Sequence, residues 1–329
     1  GRHGGRHGGR HGGRHGGRHG CRGGVVTRRP KTSIRQRGAQ VRPPRMTAEL
    51  VAEVAYRLTG RDRELLALVW EHRVLTTGQL TALFFPSPER ARQRLNQLHR
   101  LHALLRFRTW VPVGSGPWHW VLGPSGAHVL AVQHGQTMSE FGYRQDAATG
   151  IAVSPRLAHQ VGVNDFFVRL HSHARQRGDG TALDHWWSEH RCAAHWGDLA
   201  RPDAFGRWTE PRPGSTATTV DFFLEHDTGT ETLARVARKL GGYADLAEAT
   251  GTTTPVLIWL PSPKREANLR ALLGAPEVPV ATAVHTSAAS PDGPAGPVWL
   301  PAGTTGRRLR LADLSIFWGT VPRHESESG

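Results

Sequence analysis

The stretch TTVDFFLEHD, residues 218–227, decides how the second half of this chain reads. Val220, Phe222 and Leu224 alternate with Asp221, Phe223 and Glu225, which is the period of a β-strand. The same alternation puts Glu225 and Asp227 on one face at the strand's end. The next run, TLARVARKLGGY (232–243), has helical spacing and carries Lys239. Upstream, RPDA (201–204) brings in Asp203 behind a proline. If Asp203 meets the other two acids, the cluster is costly unless a cation or a proton offsets it. Oxygen ligands of this kind suit Mg²⁺ or Mn²⁺. A neighbouring lysine orients water or stabilises a phosphoryl transition state.

The segments around this strand extend the pattern. Residues 155–177 read as one helix, with Leu157, Val161, Val163, Phe166, Phe167 and Leu170 as apolar positions and GDG as its stop. LDHWWSEHRC (183–192) reads as a strand. TPVLIWLP (254–261) has the nearly continuous apolar run of a buried strand. SPKREANLRALLG (262–274) is a capped helix and VPVATAVHTS (278–287) a further strand. Helices alternating with strands argue for an α/β domain over 155–320.

The first half is helical. DRELLALVWEH (62–72) has helical apolar spacing, and a second helix is expected at Thr76, with Gln79 completing a capping box. The third is expected from Ser87 as N-cap and Pro88 at its first position, running to about Leu104. Its solvent stripe is Arg90, Gln93, Arg94, Gln97 and Arg100. LRFRTWVPVGSGPWHWVLG (105–123) reads as a hairpin turning at GSGP, with Arg106 and Arg108 on its first strand. A short helix closes the unit. This order matches a winged helix over 46–133, and VLGPSG resembles the turn after the wing in many bacterial winged-helix regulators. Arginines and glutamines on the third helix suit base edges and phosphates of double-stranded DNA. Residues 134–154 lack a sustained period and read as a linker.

Composition separates a tail from these domains. Residues 1–45 hold 13 of the 42 basic residues and no acid, while the rest carries 29 basic and 27 acidic residues. The net charge of +15 therefore describes the tail and not a globular surface. The tail opens with five GRHG repeats and has few apolar side chains, so it is expected to be disordered, as are residues 321–329. It reads either as a nucleic-acid-binding arm or as sequence upstream of a start at Met46. It has no apolar core of a secretory signal, and no run approaches the ~18 apolar residues of a membrane span. With only Cys21 and Cys192, a disulfide framework is excluded and the cytoplasm is the expected compartment. His185, His190, Cys192 and His195 form a rival candidate zinc cluster, since 190 and 192 share a face if the run is a strand.

The order helix, strand, Pro-Asp, strand with an acid pair, helix, strand is similar to the restriction-endonuclease-like PD-(D/E)XK core. From about 46 to 320 the chain also resembles the actinobacterial replication-relaxation family. The residues that carry this are LAHQVGVNDFFVRL (157–170), WSEHR (187–191), RPDA (201–204) and FLEHDTGTETLARVARKLGGY (223–243). The resemblance implies a DNA-binding protein of plasmid or mobile-element replication and relaxation, with a nuclease-like domain that is active or degenerate. It implies Asp203 and Glu225 as Mg²⁺ ligands, Asp227 assisting, and Lys239 at the phosphate or the attacking water. Glu189 or Asp165 is a candidate further acid, and His159 a candidate neighbour of the cluster. The nuclease pattern places lysine two residues after the strand acid, where this chain has Asp227, so Lys239 must reach in from the following helix. The alternatives are an active Mg²⁺-dependent nuclease or nickase, and a non-catalytic scaffold for a replication or conjugation partner.

Overall fold

The computed structural model describes residues 46–212, 214–285 and 290–319. The tail readings for 1–45 and 321–329 lie outside these residues. The first part of the described chain is helical. It contains α1 (Ala48–Arg57), α2 (Gly60–Glu71), the short β1 (Leu75–Thr76), α3 (Thr77–Phe84) and α4 (Pro88–Arg100). The caps explain the boundaries. Thr59 with Asp62 and Thr76 with Gln79 each close a capping box, and the Ser87 hydroxyl accepts from the Arg90 amide. α4 stops at Arg100, short of the expected end near Leu104. His102 takes a left-handed φ of 55°, and the Ala103 amide folds back on the Leu98 carbonyl. Leu104, expected near the end of that helix, begins the following strand.

That strand is β2 (Leu104–Arg108), which pairs antiparallel with β3 (Trp118–Leu122), and β1 joins the other edge of β3. α5 (Pro124–Gln133) follows at once. A Cβ on Gly123 would lie 2.2 Å from the His102 carbonyl oxygen, so GPSG brings the chain against the end of α4 as closely as only glycine allows. Leu65, Leu66, Leu80, Leu95, Leu98, Leu104 and Trp120 fill the core between these elements.

Residues 134–154 are packed, not an extended spacer. They hold α6 (Met138–Phe141), α7 (Gln145–Gly150) and a 3₁₀ turn at Ile151–Val153. Phe141 stacks on Trp70 at 4.8 Å, and buried Ile151 packs with Val74, Val121 and Leu157. The long α8 (Leu157–Arg177) then ends at Gly178 with φ 61°, as the GDG stop predicts.

The rest is built on a mixed six-stranded sheet in the order β4-β5-β6-β7-β8-β9. Its strands are β4 (Ala182–Ser188), β5 (Ala204–Arg212), β6 (Ser215–His226), β7 (Val256–Leu260), β8 (Val280–Val284) and β9 (Leu300–Pro301). β4, β5 and β6 are antiparallel, β6, β7 and β8 parallel, and β9 antiparallel. The helices between them are α9 (Glu189–Trp196), α10 (Leu233–Thr250) and α11 (Pro263–Leu273), with α12 (Leu311–Phe317) last. Even residues of β6, Val220, Phe222 and Leu224, pack with Phe166 and Phe167 of α8 and with Leu311 and Leu314 of α12. Phe223 faces the other way, with Val236, Leu240 and Tyr243 of α10. Both faces of β7 are therefore covered, which is why VLIWL is apolar throughout.

Two sequence expectations change here. The run 183–192 is not one strand: Ser188 caps a helix, its hydroxyl accepting from the Arg191 amide. β5 was not expected at all. Its buried face reads Ala204, Gly206, Trp208, Glu210, and a glycine and a glutamate hide the apolar alternation.

Candidate functional site

The register of β5 on β6 builds the acid cluster. Ala204 lies opposite Leu224, and the Asp203 amide donates to the Leu224 carbonyl at 3.1 Å, so Asp203 continues the ladder beside Glu225. Both are buried. The Asp203 Oδ2 accepts from the His226 amide at 2.8 Å, and Oδ1 lies 3.1 Å from His159 Nε2 on α8. The Glu225 Oε2 accepts from Lys239 Nζ at 2.7 Å and Oε1 from the Tyr243 hydroxyl at 2.5 Å. Lys239 and Tyr243 are one turn apart on α10, so helix geometry aims both at the same carboxylate. Register thus sets Asp203 beside Glu225, and Lys239 reaches Glu225 from the following helix.

Electrostatics divide the two acids. Burial and then the charge of Asp203 raise the Glu225 carboxyl above its ordinary range, against the opposing pull of Lys239 and Tyr243. Burial also works against the Asp203 charge, but the His159 donor and charge, with Lys239 beyond, hold its carboxyl low. His159 is raised in turn: burial opposes its charge, and Asp203 overcomes burial. His226, closed off from water, is pushed down to about 4 by burial. Its ring lies 5.5 Å from that of His159 and 5.2 Å from that of His285.

Asp227 is not part of this group. Its carboxylate is held by Arg265 through Nε and Nη2 and accepts the Gly229 amide at 2.8 Å. It clamps the start of α11 to the end of β6, so its carboxylate is committed to Arg265 and not to the assisting role that the resemblance implies. The candidate further acids are engaged too, Glu189 with Arg156 and Asp165 with Arg169. The zinc reading also fails. His190, Cys192 and His195 ride on α9 while His185 stays on β4, and Cys192 is fully buried. Among the described residues no three His, Cys, Asp or Glu side chains gather as metal ligands.

The Mg²⁺ implied for Asp203 and Glu225 meets the same obstacle. Oxygen donors are of the right chemistry, but all four carboxylate oxygens already accept a hydrogen bond or face a histidine nitrogen. An ion taking both carboxylates must first displace the Lys239 ammonium. As arranged, the residues do not fit the ion. Sequence reasoning missed Tyr243 and His226. Tyr243 carried a signal, its spacing of four from Lys239, whereas the role of the His226 amide depends on strand register alone.

The second candidate surface is on α4 and the hairpin. Arg90, Gln93, Gln97 and Arg100 are exposed. Arg106 lies 4.3 Å over the Trp118 ring and donates to Asn96 at 2.6 Å, and Arg108 lies 3.9 Å over the same ring. Trp118 therefore holds two guanidinium groups beside α4. Arg94 departs from the expectation. Its Nε and Nη2 donate to the fully buried Asp62 at 2.9 and 2.5 Å, and Nη2 also reaches the Arg57 carbonyl at 3.0 Å. It ties α4 to α2 and is not free to face DNA.

The molecule is thus an α/β protein with a mixed six-stranded sheet and a smaller helical part carrying a three-stranded sheet. A family model described as replication-relaxation matches residues 66–257, more than half of the chain, and the chain belongs to that family. No curated protein and no solved structure matches it.

Proposed function

We propose that this protein binds double-stranded DNA in the replication and relaxation of a plasmid or mobile element, through a winged-helix unit over 46–133. The observation that carries the reading is the exposed face of α4, Arg90, Gln93, Gln97 and Arg100, continued by Arg106 and Arg108 on Trp118. Polar side chains on one helix read base edges, and the guanidinium groups neutralise phosphates. Helix order, the hairpin and family membership support the same reading. The test is anisotropy with duplex DNA. Replacing Arg90, Arg100, Arg106 and Arg108 together by Ala weakens binding while the circular dichroism stays unchanged. Undiminished affinity contradicts it.

A second reading, an Mg²⁺-dependent nuclease or nickase with a PD-(D/E)XK-like core, rests on the buried Asp203 beside Glu225, and it requires Mg²⁺ to displace the Lys239 ammonium from Glu225. Mg²⁺-dependent nicking of supercoiled plasmid that disappears in Asp203→Asn supports it. Intact plasmid at all Mg²⁺ concentrations removes it.

A further inference from the structure

We infer that Lys239 is the resident cation of the Asp203–Glu225 pair, standing where a divalent ion would otherwise bridge the two carboxylates. Two buried carboxylates on adjacent strands repel, and the fold must supply a positive charge or a proton. Lys239 supplies the charge at Glu225, and His159 lies against Asp203. Its Nζ is 2.7 Å from Glu225 Oε2, and its side chain is only 33 % exposed. Glu231 Oε2, 3.7 Å away, holds the ammonium from the solvent side. The remaining carboxylate oxygens are occupied as well: Tyr243 donates to Glu225, the His226 amide to Asp203, and His159 faces Asp203 at 3.1 Å. The four partners come from three elements: α8 gives His159, β6 gives His226, and α10 gives Lys239 and Tyr243.

The arrangement is therefore a finished network in which lysine replaces a metal ion. A divalent cation at the carboxylates and the ammonium beside them would be two like charges within contact distance. This inference is independent of DNA binding by α4 and the hairpin, and a failure of either leaves the other standing.

The test is Mn²⁺ uptake by the full-length chain, followed by electron paramagnetic resonance, with thermal unfolding in parallel. Wild type and Asp203→Asn take up the same amount of Mn²⁺, any weak binding by the repeated tail histidines being common to both. Lys239→Met vacates the cation position. It gains Mn²⁺ uptake that Lys239→Met/Asp203→Asn lacks, and Mn²⁺ raises its melting temperature. If Lys239→Met does not fold in metal-free buffer, Glu225→Gln/Lys239→Met, which loses one charge of each sign, restores folding. The inference is overturned if wild-type Mn²⁺ uptake falls in Asp203→Asn. It is also overturned if folded Lys239→Met takes up no more Mn²⁺ than wild type, or if the Glu225→Gln/Lys239→Met chain is unfolded.

Discussion

Arg94 occupies the solvent stripe of α4 by spacing, yet its guanidinium is committed to Asp62. Asp62 has no exposed surface, so truncating its partner leaves a buried carboxylate uncompensated. Arg94→Ala is expected to destabilise the chain by about 3 kcal/mol or more in urea unfolding, the usual cost of breaking a buried pair. Arg90→Ala, with no such partner among the described residues, stays within ~0.5 kcal/mol of wild type. The same distinction governs what the sequence reveals at this scale. Asp203, Glu225 and Lys239 were legible because a strand period, a proline and a helix phase each fix one of them. Asp227 was misread because strand alternation gives a side chain's face and says nothing of the Arg265 that meets it from α11. Asp62 and Arg94 are 32 residues apart, and no local pattern joins them.

Elements with their own punctuation were legible. Thr76 and Gln79, Ser87 and Pro88, and Ser262 start helices where their caps predict. α9 was missed because Ser188 and Glu189, a cap and a first-turn acid, sit inside a run of aromatic residues that reads as strand. β5 was missed because its inward face includes Gly206 and Glu210, the latter a partner of Trp208 and Arg310. The packing of α8 on the sheet offers a test at this scale. A Cβ on Gly162 would lie 2.5 Å from the His226 ring, so no side chain fits between this helix and the end of β6. Gly162→Ala gains helix propensity, worth about 1 kcal/mol. It must also displace a buried ring, which typically costs about 1–3 kcal/mol. A net loss of melting temperature is expected, and a rise would show that the ring moves freely.

At the scale of the whole molecule, the helical part and the six-stranded sheet are held together by buried contacts, although the sequence suggested a linker. Gln79 donates to the Val161 carbonyl at 2.9 Å, Asn164 to the Val74 carbonyl at 2.6 Å, and the Ser188 amide to Glu71 at 3.1 Å. His72 stacks on Trp186 at 3.8 Å, and burial pushes its imidazole down to about 3. The unfolded chain takes up that proton near pH 6.5, so between 6.5 and about 3 it binds more protons than the fold. Stability from His72 is complete above 6.5 and is lost as pH falls through that window, by up to ~1.4 kcal/mol per pH unit. Glu225, raised in the fold, acts in the opposite sense, so the difference between wild type and His72→Phe isolates His72. His72→Phe is expected to flatten the acid side of a melting-temperature profile, and an unchanged slope rules out the buried neutral histidine. The DNA-binding claim rests most directly on the salt dependence of duplex affinity. With Arg90, Arg100, Arg106 and Arg108 replaced by Ala, the slope of log K against log salt becomes shallower by roughly three to four. The basic tail contributes equally to both chains and cancels. Identical slopes for the two chains would contradict DNA binding through this face.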